Sequence, residues 1–328
     1  MSGSPVSIKV VAGVLENALG SVLLAQRPAG KAMAGGWEFP GGKLLEGEAP
    51  ALALVRELRE ELGIEVQGSR PLISLHHDYP ELSVDLAIFS VTQFRGEPRA
   101  LEDQQLAWVP RSELGQWDLL EADRPVVAAL QLPDRCLVTP APDRDVDSYL
   151  HNIQSALEGG LPMVQCRLPE ANTFDRLALG RAVRELCREH DALFIWNGTA
   201  AEAQALDADG LHLNSRRLMA LETRPLADCR WVGASCHTAD EVQQANRLGL
   251  DYIFIGSVQP TPSHPAGPVL GWDGFGRLTA LSNLPTYAIG GMTPGDFARV
   301  RSLGGQGIAS IRNLLIRSPT FSSGRGPG

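Results

Sequence analysis

From residue 137 onward the chain repeats one unit eight times. Short apolar segments stand at residues 137–139, 163–166, 193–196, 210–213, 231–234, 252–255, 286–289 and 307–310, separated by longer stretches with helical periodicity. A run of four or five apolar residues with no polar alternation suits a strand buried on both faces, and parallel neighbours need a crossover between them, which the helices supply. Eight such units in about 180 residues predict a closed (β/α)8 barrel, on the small side for that architecture.

The preceding residues follow another rhythm. Strands are expected at residues 8–15, 21–26, 72–77 and 83–94, and a helix at residues 50–62. Proline suits the first helical position, because the N–H it lacks would be unpaired there, and Gly63 is a natural stop. Leu54, Leu58 and Leu62 recur every four residues and should face the core. A second helix is expected at residues 125–130, and residues 131–135 read as a linker. The chain thus divides into an α/β unit over residues 1–132, the barrel over residues 133–317, and a Ser-, Gly- and Pro-rich tail at 318–328 expected to be disordered.

Charge and composition exclude some functions. The chain has 328 residues with 29 Lys+Arg against 38 Asp+Glu, a net charge of −9, which argues against binding duplex nucleic acid. No apolar run approaches the roughly eighteen residues that a membrane-spanning helix needs. The start, Met1-Ser2-Gly3-Ser4-Pro5, has no basic, apolar character of a secretory signal. The five cysteines, Cys136, Cys166, Cys187, Cys229 and Cys236, form no Cys-x-x-Cys pair, so reduced thiols and a cytoplasmic location are expected.

The strongest chemical signal lies on the first helix and the loop before it. Glu57, Glu60 and Glu61 stand at i, i+3 and i+4 and share one helix face. Three like charges there destabilise a helix, and a hard divalent cation with a preference for oxygen ligands removes the repulsion. Gly41-Gly42 lets the backbone approach closely and offer a carbonyl. Arg56 can hold a carboxylate through a two-pronged hydrogen bond. The pattern Gly42, Glu48, Arg56-Glu57-Leu58, Glu60-Glu61, Gly63-Ile64 places nine determinants in 23 residues.

That pattern is the Nudix box, and residues 5–132 resemble the MutT-type Nudix hydrolases. The resemblance implies an α/β/α sandwich with a mixed sheet, and hydrolysis of oxidised nucleoside triphosphates such as 8-oxo-dGTP to the monophosphate and pyrophosphate. It implies Mg2+, with Mn2+ as an alternative ion, held by Glu57, Glu60, Glu61, Glu102 and the Gly41 carbonyl. One of the glutamates would take the proton from water. Glu48 and Arg56 would support the loop and helix. The stretch Trp37-Glu38-Phe39-Pro40-Gly41-Gly42-Lys43 resembles the family's approach to the box, and Arg27, Glu38 and Phe39 match positions lining its nucleotide site. Asp123 matches an asparagine that reads the purine edge in bacterial MutT. An ionised aspartate only accepts hydrogen bonds, whereas a protonated one also donates. An N-cap role before Pro125 is the other reading of Asp123.

Residues 136–317 resemble the thiamine phosphate synthase and TenI family. The segments Leu137-Val-Thr139, Val164-Gln-Cys-Arg167, Asp209-Gly-Leu-His-Leu213, Gly233-Ala-Ser-Cys-His237, Ala288-Ile-Gly-Gly-Met-Thr-Pro294 and Gly307-Ile-Ala-Ser310 carry the likeness. It implies a phosphate site at Gly290-Gly291 and the backbone after Ser310, with Arg167 either on phosphate or paired with an acid. A working synthase needs acids and lysines for magnesium pyrophosphate. Here Pro169 replaces one lysine and His264 another, Asn197-Gly198 lacks one metal-ligating aspartate, and Asn214 stands near the place of a second. TenI proteins also carry Asn-Gly and a histidine matching His237. His237 is therefore a candidate proton shuttle for tautomerising a thiazole phosphate, or else a helix cap or loop contact. His212, in an apolar strand, reads as a satisfied core residue. Two functions stand open: sanitation of oxidised nucleotides beside a degenerate barrel, or hydrolysis of a thiamine-pathway diphosphate beside a barrel that binds or isomerises the thiazole phosphate.

Overall fold

The computed structural model describes residues 6–80, 82–142, 145–168, 175–226, 230–261 and 267–315. Pro169, Cys229, His264 and the tail at 318–328 lie outside them. Among the described residues, no helix is long and apolar enough to cross a membrane.

The N-terminal unit contains β1 (Val6–Val14), β2 (Ser21–Gln26), β3 (Trp37–Glu38), β4 (Gly41–Lys43), α1 (Pro50–Leu62), β5 (Glu65–Tyr79), β6 (Leu82–Arg95), β7 (Gln105–Pro110) and α2 (Arg124–Gln131). Four strands form a mixed sheet in the order β4-β1-β6-β5, with β1 parallel to β6 and antiparallel to β4. β3, β2 and β7 form a second, antiparallel sheet. One core lies beneath α1, where Leu54, Leu58 and Leu62 are fully buried against Val11, Leu23 and Phe89. The other lies beneath α2, where Val126 and Val127 meet Phe39, Ile88 and Val109. This is the α/β/α sandwich with a mixed sheet.

α1 spans the expected residues, with Pro50 in its first turn. Gly63 ends it in the left-handed region at φ 68°, where its N–H donates to the Arg59 carbonyl. β3 and β4 escape sequence reading because they are too short to show alternation, and β7 because its run Leu106-Ala-Trp-Val109 has no polar alternation. β5 starts earlier than its apolar stretch because register shifts around Gly68 and Pro71 let its polar first half continue the pairing with β6.

The second unit is a closed, all-parallel barrel of β8 (Arg135–Val138), β9 (Met163–Cys166), β10 (Leu193–Asn197), β11 (Gly210–Leu213), β12 (Trp231–Cys236), β13 (Tyr252–Ile255), β14 (Thr286–Ile289) and β15 (Gly307–Ser310). α3 (Val146–Glu158), α4 (Arg176–Glu189), α5 (Ala200–Ala205), α6 (Ser215–Met219), α7 (Ala239–Arg247), α8 (Gly271–Thr279) and α9 (Phe297–Ser302) lie between strands. Cys136, Cys166, Cys187 and Cys236 are free and buried; burial pushes their thiols up, away from reactive thiolate.

The expected linker is shorter than residues 131–135. Gln131 completes α2 and Arg135 opens β8. The connection is tight because Ala128 and Leu132 belong to the barrel's own lining cluster, with Cys136, Val138, Met163, Ile195, Tyr252, Phe254, Tyr287 and Ala309.

Candidate functional site

The loop-helix of the N-terminal unit is assembled around Arg56. Its Nε and Nη2 donate to the two carboxylate oxygens of Glu48 at 2.9 and 2.7 Å, and Nη2 also reaches the Lys43 carbonyl at 3.1 Å. The Leu45 N–H adds a further bond to Glu48 at 3.0 Å. The Arg56 hydrogen bonds hold the Glu48 carboxyl down at about 2, so it stays ionised as a fixed strut. Nη1 of Arg56 donates to Glu57 at 2.7 Å.

The glycines do what the sequence suggested. A Cβ on Gly42 would fall 2.2 Å from Oε2 of Glu57, and one on Gly41 would fall 2.1 Å from the Val11 carbonyl oxygen. Glycine at 42 lets Glu57 close on this strand, and glycine at 41 lets the strand lie against β1. The Gly41 N–H donates to Oε2 of Glu61 at 2.9 Å. Glu57 and Glu61 therefore meet β4 from α1, as i and i+4 residues must.

The other two acids stand further out. Glu60 is 59% exposed and reaches Arg56 at 3.4 Å. Glu102 pairs with Lys31 at 2.7 Å, and its loop is pinned by Gln104, whose side chain accepts from the Glu102 N–H and donates to the Glu61 carbonyl. Sequence reasoning missed Lys31 and Gln104, which carry no motif. Among the described residues, no three acids, histidines or cysteines converge closely enough to hold a metal ion. Like charges repel, and the carboxylates are spread over separate donors: Glu57 and Glu60 on Arg56, Glu61 on the Gly41 N–H and Glu102 on Lys31. The donor set is nevertheless all oxygen, which is what a hard cation takes.

Burial, then the charges of Glu38 and Glu102, push Glu61 up to about 7 from 4.5. A carboxyl whose folded-state pKa is raised contributes stability that is present at low pH and lost as pH climbs towards 7. The metal-free protein should therefore melt lower at pH 8 than at pH 5.5, with Glu61 contributing on the order of 3 kcal/mol at the limit. Added Mg2+ should reduce the difference, because it binds the ionised form. Calorimetry at both pH values with and without the ion measures this; a pH difference equal in the two conditions counts against it.

A second group lies beside the acids. Arg27 donates to Glu38 at 2.6 Å and to the Ala32 carbonyl at 2.7 Å. Burial raises the Glu38 pKa, with Arg27 opposing it. Asp123 is 4% exposed, and its side chain makes no hydrogen bond among the described residues. Burial first, then the Glu38 charge, drives its pKa well above the usual carboxylate range. Asp123 occupies the cap position of α2, but its backbone is helical and its side chain accepts no amide, so the capping reading is set aside. Tyr79, which no motif flagged, receives the Ala122 N–H at 3.4 Å, and its own pKa is raised by burial. Phe39 packs in the core beneath these groups.

In the barrel, Asn197 donates to Gln165 at 2.9 Å, and the Gln165 Nε2 is buried with no partner. Arg167 is exposed and forms no ion pair among the described residues. Gly290 and Gly291 have φ of 97° and 69° and lie against Ser257 and Gln259. His237 shares its Nδ1 with the Gly256 carbonyl, while its N–H caps onto Glu241. His212 is fully buried between Ser235 and Tyr252, and burial pushes its pKa down to about 3, so it is a neutral core residue.

Comparison with known proteins follows this division. A family model described as thiamine monophosphate synthase matches residues 135–314, and a NUDIX domain model matches residues 11–129. The thiamine-phosphate synthase of Methanococcus vannielii is 33% identical over 173 residues, covering 53% of this chain and 84% of the relative. The chain belongs to the thiamine monophosphate synthase family, behind a NUDIX domain. Among solved structures, the thiamine phosphate pyrophosphorylase of Pyrococcus furiosus is 31% identical, covers 54% of this chain and 85% of that one, and has a TM-score of 0.45. One from a study of MutT from Aliivibrio salmonicida and Vibrio cholerae is 40% identical, covers 38% and 96%, and has a TM-score of 0.33.

This thiamine monophosphate synthase family barrel has rebuilt the end of β10. A Cβ on Gly198 would fall 2.1 Å from Nε1 of Trp196 and 2.4 Å from Oε2 of Glu202. Trp196 is fully buried and its N–H donates to Glu202 at 3.2 Å, while Arg176 lies over the indole and pairs with the same glutamate. The space for an aspartate side chain is filled. Asn214, after β11, caps α6 by accepting the Arg217 N–H at 2.8 Å. These residues do not fit a magnesium pyrophosphate.

Proposed function

We propose that the NUDIX domain is a magnesium-dependent pyrophosphohydrolase of oxidised purine nucleoside triphosphates, converting 8-oxo-dGTP to 8-oxo-dGMP and pyrophosphate. We take its extent as residues 1–132 and that of the barrel as 133–317. The supporting observation is the close seat of Glu57 and Glu61 against Gly41-Gly42, where a Cβ on Gly42 would strike the Glu57 carboxylate and the Gly41 N–H donates to Glu61. Glu57, Glu60, Glu61, Glu102 and the Gly41 carbonyl would hold the ion. Bound there, it would neutralise phosphate oxygens and acidify water. Glu48 and Arg56 hold the loop to the helix. A carboxylate of the α1 group accepts the proton of the attacking water; the new P–O bond forms as the bridging bond breaks, and pyrophosphate departs.

Arg27, Glu38, Phe39 and Asp123 form the base-reading side. A protonated Asp123 presents one donor and one acceptor, as an asparagine amide does. That pair complements the N7 side of 8-oxoguanine, where a carbonyl oxygen lies beside the N7–H; guanine presents an unprotonated N7 acceptor there. The barrel is a phosphate-ester module: Gln165, Arg167, Asn197, Gly290 and Gly291 are its binding residues, and the filled position at Gly198 supports the absence of synthase chemistry. The Nδ1 contact of His237 leaves Nε2 as its remaining proton acceptor, which supports a second reading in which the barrel tautomerises a thiazole phosphate.

A panel of nucleoside triphosphates and thiamine-pathway diphosphates, compared by kcat/KM with Mg2+, tests the proposal. 8-oxo-dGTP should lead the panel. Hydrolysis of oxidised purine triphosphates no faster than dGTP would refute the substrate assignment, and a thiamine-pathway diphosphate at the head would favour the other hydrolase reading.

A further inference from the structure

We propose that the barrel sets the base-reading end of the NUDIX site through α2, and that Gln306 is the positioning residue. The inference rests on the reading of Asp123 given above. It starts from a helix with both ends engaged in different units. α2 has eight residues, so it is about 12 Å long and too short to bend appreciably. Asp123 immediately precedes its first residue and stands beside the Arg27–Glu38 pair.

The other end has no glycine cap: Leu132 follows in an extended conformation. The last carbonyls of a helix lack intrahelical partners, and a buried carbonyl left unpaired is costly. Arg111 of the NUDIX unit meets the Leu130 carbonyl, and the barrel supplies the rest. Nε2 of Gln306 donates to the carbonyls of both Ala129 and Leu132 at 2.9 Å, and both bonds are buried. Gln306 immediately precedes β15, is 3% exposed, and is itself fixed by a backbone bond to Thr286. The Tyr287 hydroxyl donates to the Pro133 carbonyl just beyond. Ala128 and Leu132 pack into the barrel lining.

Val126, Val127, Ala129 and Leu130 seat the helix sideways in the NUDIX core. Apolar contacts are non-directional and tolerate sliding along the axis. Arg111 of the NUDIX unit also donates to the Leu130 carbonyl at 3.1 Å and accepts from the Gln131 side chain at 2.7 Å, so the directional Gln306 bonds set the axial position together with Arg111. A shift at the C-terminal end is carried along the rigid helix to the Asp123 carboxyl.

The test uses the full chain. Gln306→Met keeps the side chain's length and removes both donors. Expected is a several-fold rise in KM for 8-oxo-dGTP, with kcat for dGTP unchanged and the preference between the two narrowed. In an Asp123→Ala background the same substitution should add nothing to KM, because its effect runs through that carboxyl. Tyr287→Phe is a milder second variant should Gln306→Met fold poorly, and a thermal melt on each separates lost folding from lost alignment. An unchanged KM in the folded variants, or an equal rise in both backgrounds, overturns the positioning role while the substrate reading stands. A wild-type chain with no preference for 8-oxo-dGTP overturns the substrate reading, and the positioning role with it.

Discussion

Glu57→Gln and Glu61→Gln should each reduce hydrolysis by about 10²–10⁴-fold while leaving the fold intact. Glutamine keeps the volume of the side chain and one acceptor oxygen, so the bond from the Gly41 N–H to residue 61 can persist. What goes is charge, and with it most of the attraction for a divalent ion. At residue 61 the change should also stabilise the metal-free protein at pH 8. The pKa of Glu61 is raised to about 7, so ionising it there works against folding, and a neutral amide escapes that cost. Loss of turnover together with a higher melting temperature marks a residue held in place for chemistry rather than stability. Near-wild-type rates in both variants would remove the metal-site assignment. Lower melting temperatures with lost turnover would point instead to a structural role on α1.

Nucleotide recognition should weaken as pH rises, and Asp123→Asn should abolish that dependence. Asp123 has a raised pKa, so the neutral form predominates below it and the carboxylate above it. Only the neutral form donates to a base carbonyl, and ionisation also places a charge near Glu38. The groups facing Asp123 are Glu38, which raises its pKa, Arg27, which lowers it, and Tyr79, whose own pKa Asp123 helps to raise. KM for 8-oxo-dGTP should therefore climb with pH in the wild type and stay flat in Asp123→Asn. Asp123→Ala should raise KM by about 10- to 100-fold at every pH, the cost of a lost base contact in a closed site. A flat wild-type KM profile, or a variant profile that parallels the wild type, would show that another group titrates.

Selection of a base by a protonated acid has a physical consequence. An asparagine offers its donor at any pH; an aspartate offers it only while the surroundings keep it neutral. Asp123 is 4% exposed, and its chain neighbours Leu119, Ala122 and Val126 are buried too. Substitutions that admit water there should act on specificity without touching the base.

Much of this is legible in the sequence. The helix over residues 50–62 declares itself through Pro50, Gly63 and the four-residue spacing of its leucines. The barrel strands declare themselves because a strand buried on both faces has no polar alternation to confuse it. Local periodicity carries that information, and the spacing of Glu57, Glu60 and Glu61 places them on one face by geometry alone. The outward stance of Glu60 and Glu102 is a different matter. It depends on which cations, Arg56 and Lys31, fold to within reach. β3 and β4 contain two and three residues and exist because partners in β2 and β1 pair with them.

Residue identity thus determined the two architectures, the acidic face and the missing ligands of the barrel. Tertiary structure alone decided that Asp123 is buried and accepts no capping amide, that Trp196 and Glu202 fill the space beside Gly198, and that α2 ends against the barrel. The reason is one of range. Helical phase is written within a turn or two of chain, whereas a carboxyl's protonation and a helix's docking depend on desolvation and partners contributed from far along the sequence, Gln306 for Leu132 among them.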